Sequence, residues 1–170
     1  MGTGEPVNEK LLGIYLNDHL AGSTAGIELA RRSAGANEGT GLGDFLARLV
    51  SEIDADRDAL IRIMELFGVR QDQLKKTAAW TAEKLGRLKP NGQLTGYSPL
   101  SRLVELEGLH VGISGKLSLW QTLSGSIADA SALSPANVEL PDLVARAERQ
   151  LAELEPHRLE AARQAFEAGA

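Results

Sequence analysis

Asp44–Gly68 reads DFLARLVSEIDADRDALIRIMELFG, and the spacing within it decides the fold. From Leu46 onward, Leu49, Ile53, Asp56, Leu60, Met64 and Phe67 recur at steps of three or four, with Phe45 beside the first. That is the period of an α-helix with one face turned to a core; strand alternation is absent. Asp44 helps to start the helix, and Gly68 stands where a helix end takes a left-handed residue. One such face cannot bury itself, so the segment requires partner helices.

The flanking sequence supplies them. Upstream, a helix is predicted from Val7 or Asn8 to about Ser33, with Leu12, Leu16, His19, Ser23, Ile27 and Ala30 on one side, and the glycine-rich Gly35–Gly43 breaks it. Downstream, a shorter helix from about Gln71 to Leu88 carries Leu74, Ala78, Thr81, Leu85 and Leu88, and Lys89-Pro90-Asn91-Gly92 is a turn. Ser98-Pro99 reads as an N-cap followed by proline at the first helical position. That helix is expected to reach about Ile127, showing Leu103, Leu106, His110, Ile113, Leu117, Trp120 and Gln121. After a loop over Ala128–Glu139, Pro141 opens a last helix with Leu140, Val144, Ala147, Leu151 and Leu154 inward. Pro156 is expected to kink or end it, with a weak resumption to Phe166.

The expected architecture is an all-α four-helix bundle with a long crossover that holds an extra short helix. A helix of about 25 residues spans roughly 38 Å, so the crossover can return along the bundle: up, down, crossover, down, up. Residues 1–170 form one domain in this reading, with its core over about 8–156 and a helical extension over 157–170.

Composition narrows the function classes. Hydrophobic residues make up 43% and aromatics 4%, which implies an aliphatic core. With no cysteine, disulfides, thiolate metal sites and cysteine nucleophiles are excluded. A net charge of −5 argues against nonspecific nucleic-acid binding. Met1–Val7 lacks the pattern of a signal peptide, and no stretch has the apolar length of a membrane span. A cytoplasmic protein with no membrane partner is expected.

This helix order and these lengths, from about Asn8 to Pro156, resemble the ferritin-like superfamily, and are most similar to its small actinobacterial bundles. The resemblance implies a metal site with a Glu on the first and third helices and Glu-x-x-His on the second and fourth. Here His19 stands in place of the first Glu, and Glu52 is followed at plus three by Ala55. Glu107-Gly-Leu-His110 has the spacing, but on the third helix; Glu153 is followed by Pro156, with His157 one residue late. The reading is therefore a ferritin-like bundle with a degenerate or absent di-metal site, non-enzymatic, self-associating and without a resident cofactor. The alternative is an Fe-, Mn- or Zn-binding oxidoreductase or metal-handling protein using His19, Asp56, Glu107 and His110.

Those four residues also fit a plainer account. His19 and His110 fall near stripe centres, with Asp56 close by and Glu52 and Glu107 on the flanks. Buried polar groups seek one another, so a structural network of a histidine with Asp56 and Arg57 is favoured. Ser23 follows His19 by one turn, a nucleophile–base spacing, yet no oxyanion-stabilising loop accompanies it. Gly39-Thr-Gly41-Leu-Gly43 has neither a preceding strand nor a following Gly-Lys-Ser/Thr, and reads as an interhelical loop. Gly22, Gly26, Gly108, Gly112 and Gly115 lie inside helices, where each costs about 1 kcal/mol relative to Ala. Close approach of the first and third helices is the expected offset, and a ligand cleft the alternative.

The crossover holds the one charge asymmetry. Arg70–Lys89 carries net +4, which leaves −9 on the rest of the chain. Trp80 lies off the apolar arc among Lys76, Lys84 and Arg87, and Trp is enriched at interface centres. A homodimer with Trp80 in the contact is expected, and an acidic protein partner at 70–89 is the other use of this segment. Light scattering should show a dimer of the wild type at some tens of micromolar and a shift toward monomer for Trp80→Ala; a strictly monomeric wild type would contradict it.

Overall fold

A helix leaves its first N–H groups unpaired, and three of the long helices begin where a side-chain oxygen can accept one. In the computed structural model, which describes residues 8–72, 97–127 and 130–167, α1 spans Glu9–Ala36, α2 Gly41–Leu66, α3 Pro99–Ser126 and α4 Leu140–Phe166. Asn8 caps α1 by accepting from Leu11 N at 3.1 Å, Thr40 caps α2 by accepting from Gly43 N at 3.1 Å, and Ser98 caps α3 by accepting from Ser101 N at 3.0 Å. At the far end of α2, Val69 N donates to Met64 O at 2.8 Å and Gly68 N to Glu65 O at 3.0 Å, with Gly68 at φ +63°. This paired closure needs the left-handed residue that glycine supplies.

Three local expectations are revised. The break over Gly35–Gly43 shrinks to a turn at 37–40, because Asn37 Nδ2 donates to Ser33 O at 2.7 Å and carries α1 on to Ala36. The expected loop before α4 contains a 3-10 helix, Ala130–Ala136, which buries Leu133 and accepts from Arg62 Nε at Ala136 O. Pro156 does not end α4. It removes one N–H, but buried Ala161 and the stacking of His157 on Phe45 of α2 hold the segment beyond it in place. Among the described residues there is no strand, and no helix is long and apolar enough to cross a membrane.

Contacts between helices set their directions. Ser33 and Leu29 of α1 meet Glu105 and Gly108 of α3, so these two run antiparallel. Phe45, Glu52 and Asp56 of α2 meet His157, Gln150 and Arg146 of α4, which are antiparallel as well. The order is therefore up, down, down, up, around a core of Leu16, Leu20, Leu46, Leu49, Ile63, Met64, Leu106, Leu109, Leu123 and Trp120.

Since α2 and α3 run the same way, the chain must return the length of the bundle between them. Both ends of that return are held on α1. Asn17 accepts from Asp72 N at 2.8 Å and donates to Arg70 O at 3.0 Å. Asn37 donates to Tyr97 Oη at 3.1 Å, and Tyr97 in turn donates to Glu105 at 2.9 Å. The two anchors are about 30 Å apart along the helix. The short helix expected over Gln71–Leu88, the turn at Lys89–Gly92 and Trp80 with its cations lie mainly outside the described residues; Gln71 and Asp72, which are inside, are not helical.

Gly43 packs against the turn so closely that a Cβ there would collide with the Asn37 carbonyl, whereas a Cβ on Gly41 would meet nothing. Gly43→Ala should therefore lower stability by about 1–3 kcal/mol in urea unfolding, with Gly41→Ala within about 0.5 kcal/mol of wild type.

Candidate functional site

Close packing of α1 on α3 is not what their glycines provide. Only Gly108 is in contact, where a Cβ would stand 3.0 Å from Leu29 Cδ2. A Cβ at Gly22, Gly26, Gly112 or Gly115 would meet nothing within 4 Å. Ile53, Leu60, Leu109, Ile113 and Trp120 line the space, and the glycines add nothing to fill it. What remains is an open cleft of about 220 Å³ between α1 and α3, floored by α2. An apolar cavity of about 150 Å³ is enough for a molecule the size of benzene.

One end of the floor is charged. Asp56, 2% exposed, accepts from Lys116 Nζ of α3 at one oxygen and from Arg146 Nη1 of α4 at the other, the latter at 2.7 Å. Lys116 also donates to Gln150 Oε1, and Gln150 Nε2 donates to Glu52 at 2.7 Å. Arg149 closes the chain on Glu52 at 2.8 Å. Burial pushes the Lys116 ammonium below its ordinary pKa, and the Asp56 carboxylate opposes that shift. Burial alone would raise Glu52, but hydrogen bonds from Gln150 and Arg149 hold its carboxyl below the usual range.

The sequence-predicted residues separate. His19 and Asp56 both line the cleft, but neither oxygen of Asp56 is bonded to a histidine. His19 is half-buried at the rim, edge-on to Tyr15, because Leu16 and Leu20 take the inward positions of its helix. Burial lowers its pKa, with Asp18 opposing. Glu107 is exposed and faces Arg158 of α4 at 3.9 Å. His110 is half-buried beside Leu109, which takes the inner place, and its Nδ1 has no partner. The structural network is thus centred on Asp56, with Lys116 and Arg146 in the places given to a histidine and Arg57. Among the described residues, no three His, Asp or Glu side chains converge as ligands for a metal ion. Ser23 Oγ donates to Leu20 O at 2.7 Å and makes no hydrogen bond to His19.

Lys116, Arg146 and Gln150 were missed from sequence, although two of them leave a signal. Lys116 lies three residues after Ile113 and four before Trp120, and Gln150 lies three after Ala147 and four before Leu154. Each interrupts an apolar row at an inward position. A second buried carboxylate, Glu105, is satisfied by Arg32, Ser33 and Tyr97 and was also missed.

Two buried donors, on residues that line the cleft, lack acceptors. Trp120 is 1% exposed, and its Nε1 is buried without a hydrogen-bond partner; the same holds for Arg57 Nε. Compared with known proteins, the chain matches no family model, no curated protein and no solved structure.

Removing one member of a buried ion pair leaves the rest uncompensated. Asp56→Leu should cost about 3–5 kcal/mol in urea unfolding. Adding Lys116→Met to it should recover part of that loss, and simple additivity would show that the two groups are not coupled.

Proposed function

We propose that this chain is a non-enzymatic ferritin-like bundle that binds a small molecule in the cleft between α1 and α3. The observation that carries the reading is the set of four helix glycines that face open space. Each costs about 1 kcal/mol relative to Ala, and close helix contact does not offset it here. Room for a ligand is what four missing side chains provide. The apolar lining, with few polar side chains among it, is the usual character of a small-molecule site.

The up, down, down, up order with its long return supports the ferritin-like resemblance, and the centre of the bundle supports a non-enzymatic role. Both oxygens of Asp56 are already engaged by internal cations, and Glu52 faces Arg149 and Gln150. A divalent ion at Asp56 would meet an ammonium and a guanidinium, so this donor set does not suit a di-metal centre. In this reading the ammonium supplies the positive charge that a metal supplies in such bundles. Cytoplasmic location and self-association through the crossover belong to the same proposal.

A neutral apolar fluorophore, N-phenyl-1-naphthylamine, tests the cleft. The wild type should give a saturable fluorescence rise, and the double variant Gly112→Leu/Gly115→Leu should weaken it by about tenfold or more while keeping its helical circular dichroism. Equal binding by the two proteins would place the probe elsewhere and overturn the reading.

A further inference from the structure

Resting on that reading, we infer that the ligand of the cleft is a neutral, compact apolar molecule of about ten carbon atoms, the size of two fused rings.

Charge is balanced where the cleft is buried. Lys116, Arg146 and Arg57 stand against Asp56, Glu52 and Asp54, and Arg149, which reaches Glu52 from outside, is half-exposed and has Glu153 at 3.7 Å. Both oxygens of Asp56 are taken, and Lys116 Nζ is shared between Asp56 and Gln150. Ser23 gives its proton to Leu20 O at 2.7 Å, and burial lowers the His19 pKa, so its ring is uncharged near neutrality. Asp18 is exposed at the rim, where water screens it. The orphaned N–H groups of Trp120 and Arg57 are themselves buried, so a guest in the cleft does not reach them. An anion or a cation entering this lining would lose its water and gain no partner, a cost that a neutral molecule does not meet.

Shape selects a compact guest over a long one. Counting from the Leu29–Gly108 contact along the antiparallel pair, Gly26 falls about level with Gly112 and Gly22 with Gly115. Both walls are therefore bare at the same height, over about one helical turn, or about 6 Å. Ile53, Leu60, Leu109, Ile113 and Leu119 supply only hydrocarbon around that stretch. An apolar cavity of about 150 Å³ takes a single six-carbon ring. The volume here, about 220 Å³, is about half as much again and has room for a second ring fused to the first.

Naphthalene, 1-naphthoate and 1-naphthylmethylammonium share one apolar body and differ in charge, so equilibrium dialysis of each against the full-length chain tests this. Naphthalene should bind saturably and at least about tenfold more tightly than either ion. In Lys116→Met the floor loses one positive charge, and the ammonium should gain at least about threefold on the naphthoate. Arg146→Met removes the same charge from α4 and gives the same reading if Lys116→Met does not fold. Either ion binding as tightly as naphthalene, or an ion ratio unmoved by the substitution, would overturn the neutral assignment and leave the cleft reading standing. So would failure of naphthalene to bind a protein that takes up N-phenyl-1-naphthylamine. Failure of that fluorophore and of all three probes would overturn the two together, as would naphthalene binding undiminished in Gly112→Leu/Gly115→Leu.

Discussion

The Asp56 carboxylate is the constraint around which the bundle is arranged. It is buried on α2, and its charge is met by Lys116 from α3 and Arg146 from α4. An ion in a protein interior is tolerated only when its partners are held in place, so three helices share one register. Hydrophobic side chains favour burial in general, but a leucine row can slide by a turn at modest cost. A carboxylate between two cations cannot. The Gln150–Glu52–Arg149 chain extends the same restriction along the α2–α4 contact toward solvent.

The second buried carboxylate, Glu105, has a different task. It joins α3 to Arg32 and Ser33 at the end of α1, and through Tyr97 to the entry of α3. With Asn17 holding the exit from α2, the long return is fastened at both ends to one helix. Two parallel helices joined by a long connection pay a loop-closure entropy that grows only slowly with its length. Anchors at the ends, which fix direction and register, matter more to such a topology than the length of chain between them.

Between these two polar centres, α1 and α3 touch at Leu29–Gly108 and then stand apart. Side chains that filled the cleft would add packing contacts to the bundle, and the four glycines leave it open. The charged floor and the cleft are one structure, because Lys116 both neutralises Asp56 and lines the cleft.

The four long helices were legible in the chain, since they rest on local rules: a period of 3.6, Ser98 as a cap and Gly68 at a helix end; the caps Asn8 and Thr40 were not read. Asp56 on an apolar row was equally plain as a buried charge in need of a partner. Its partners were not, because Lys116 and Arg146 are far away in sequence and meet it only once α3 and α4 pack. His19 and His110 looked central because helical projection is coarse by one position; packing gave the inner places to Leu20 and Leu109 instead. The glycines could be read as a seam or as a cleft, since a missing side chain has no direction of its own. Only the packed position of α1 against α3, which leaves open space at Gly22, Gly26, Gly112 and Gly115, decided between them.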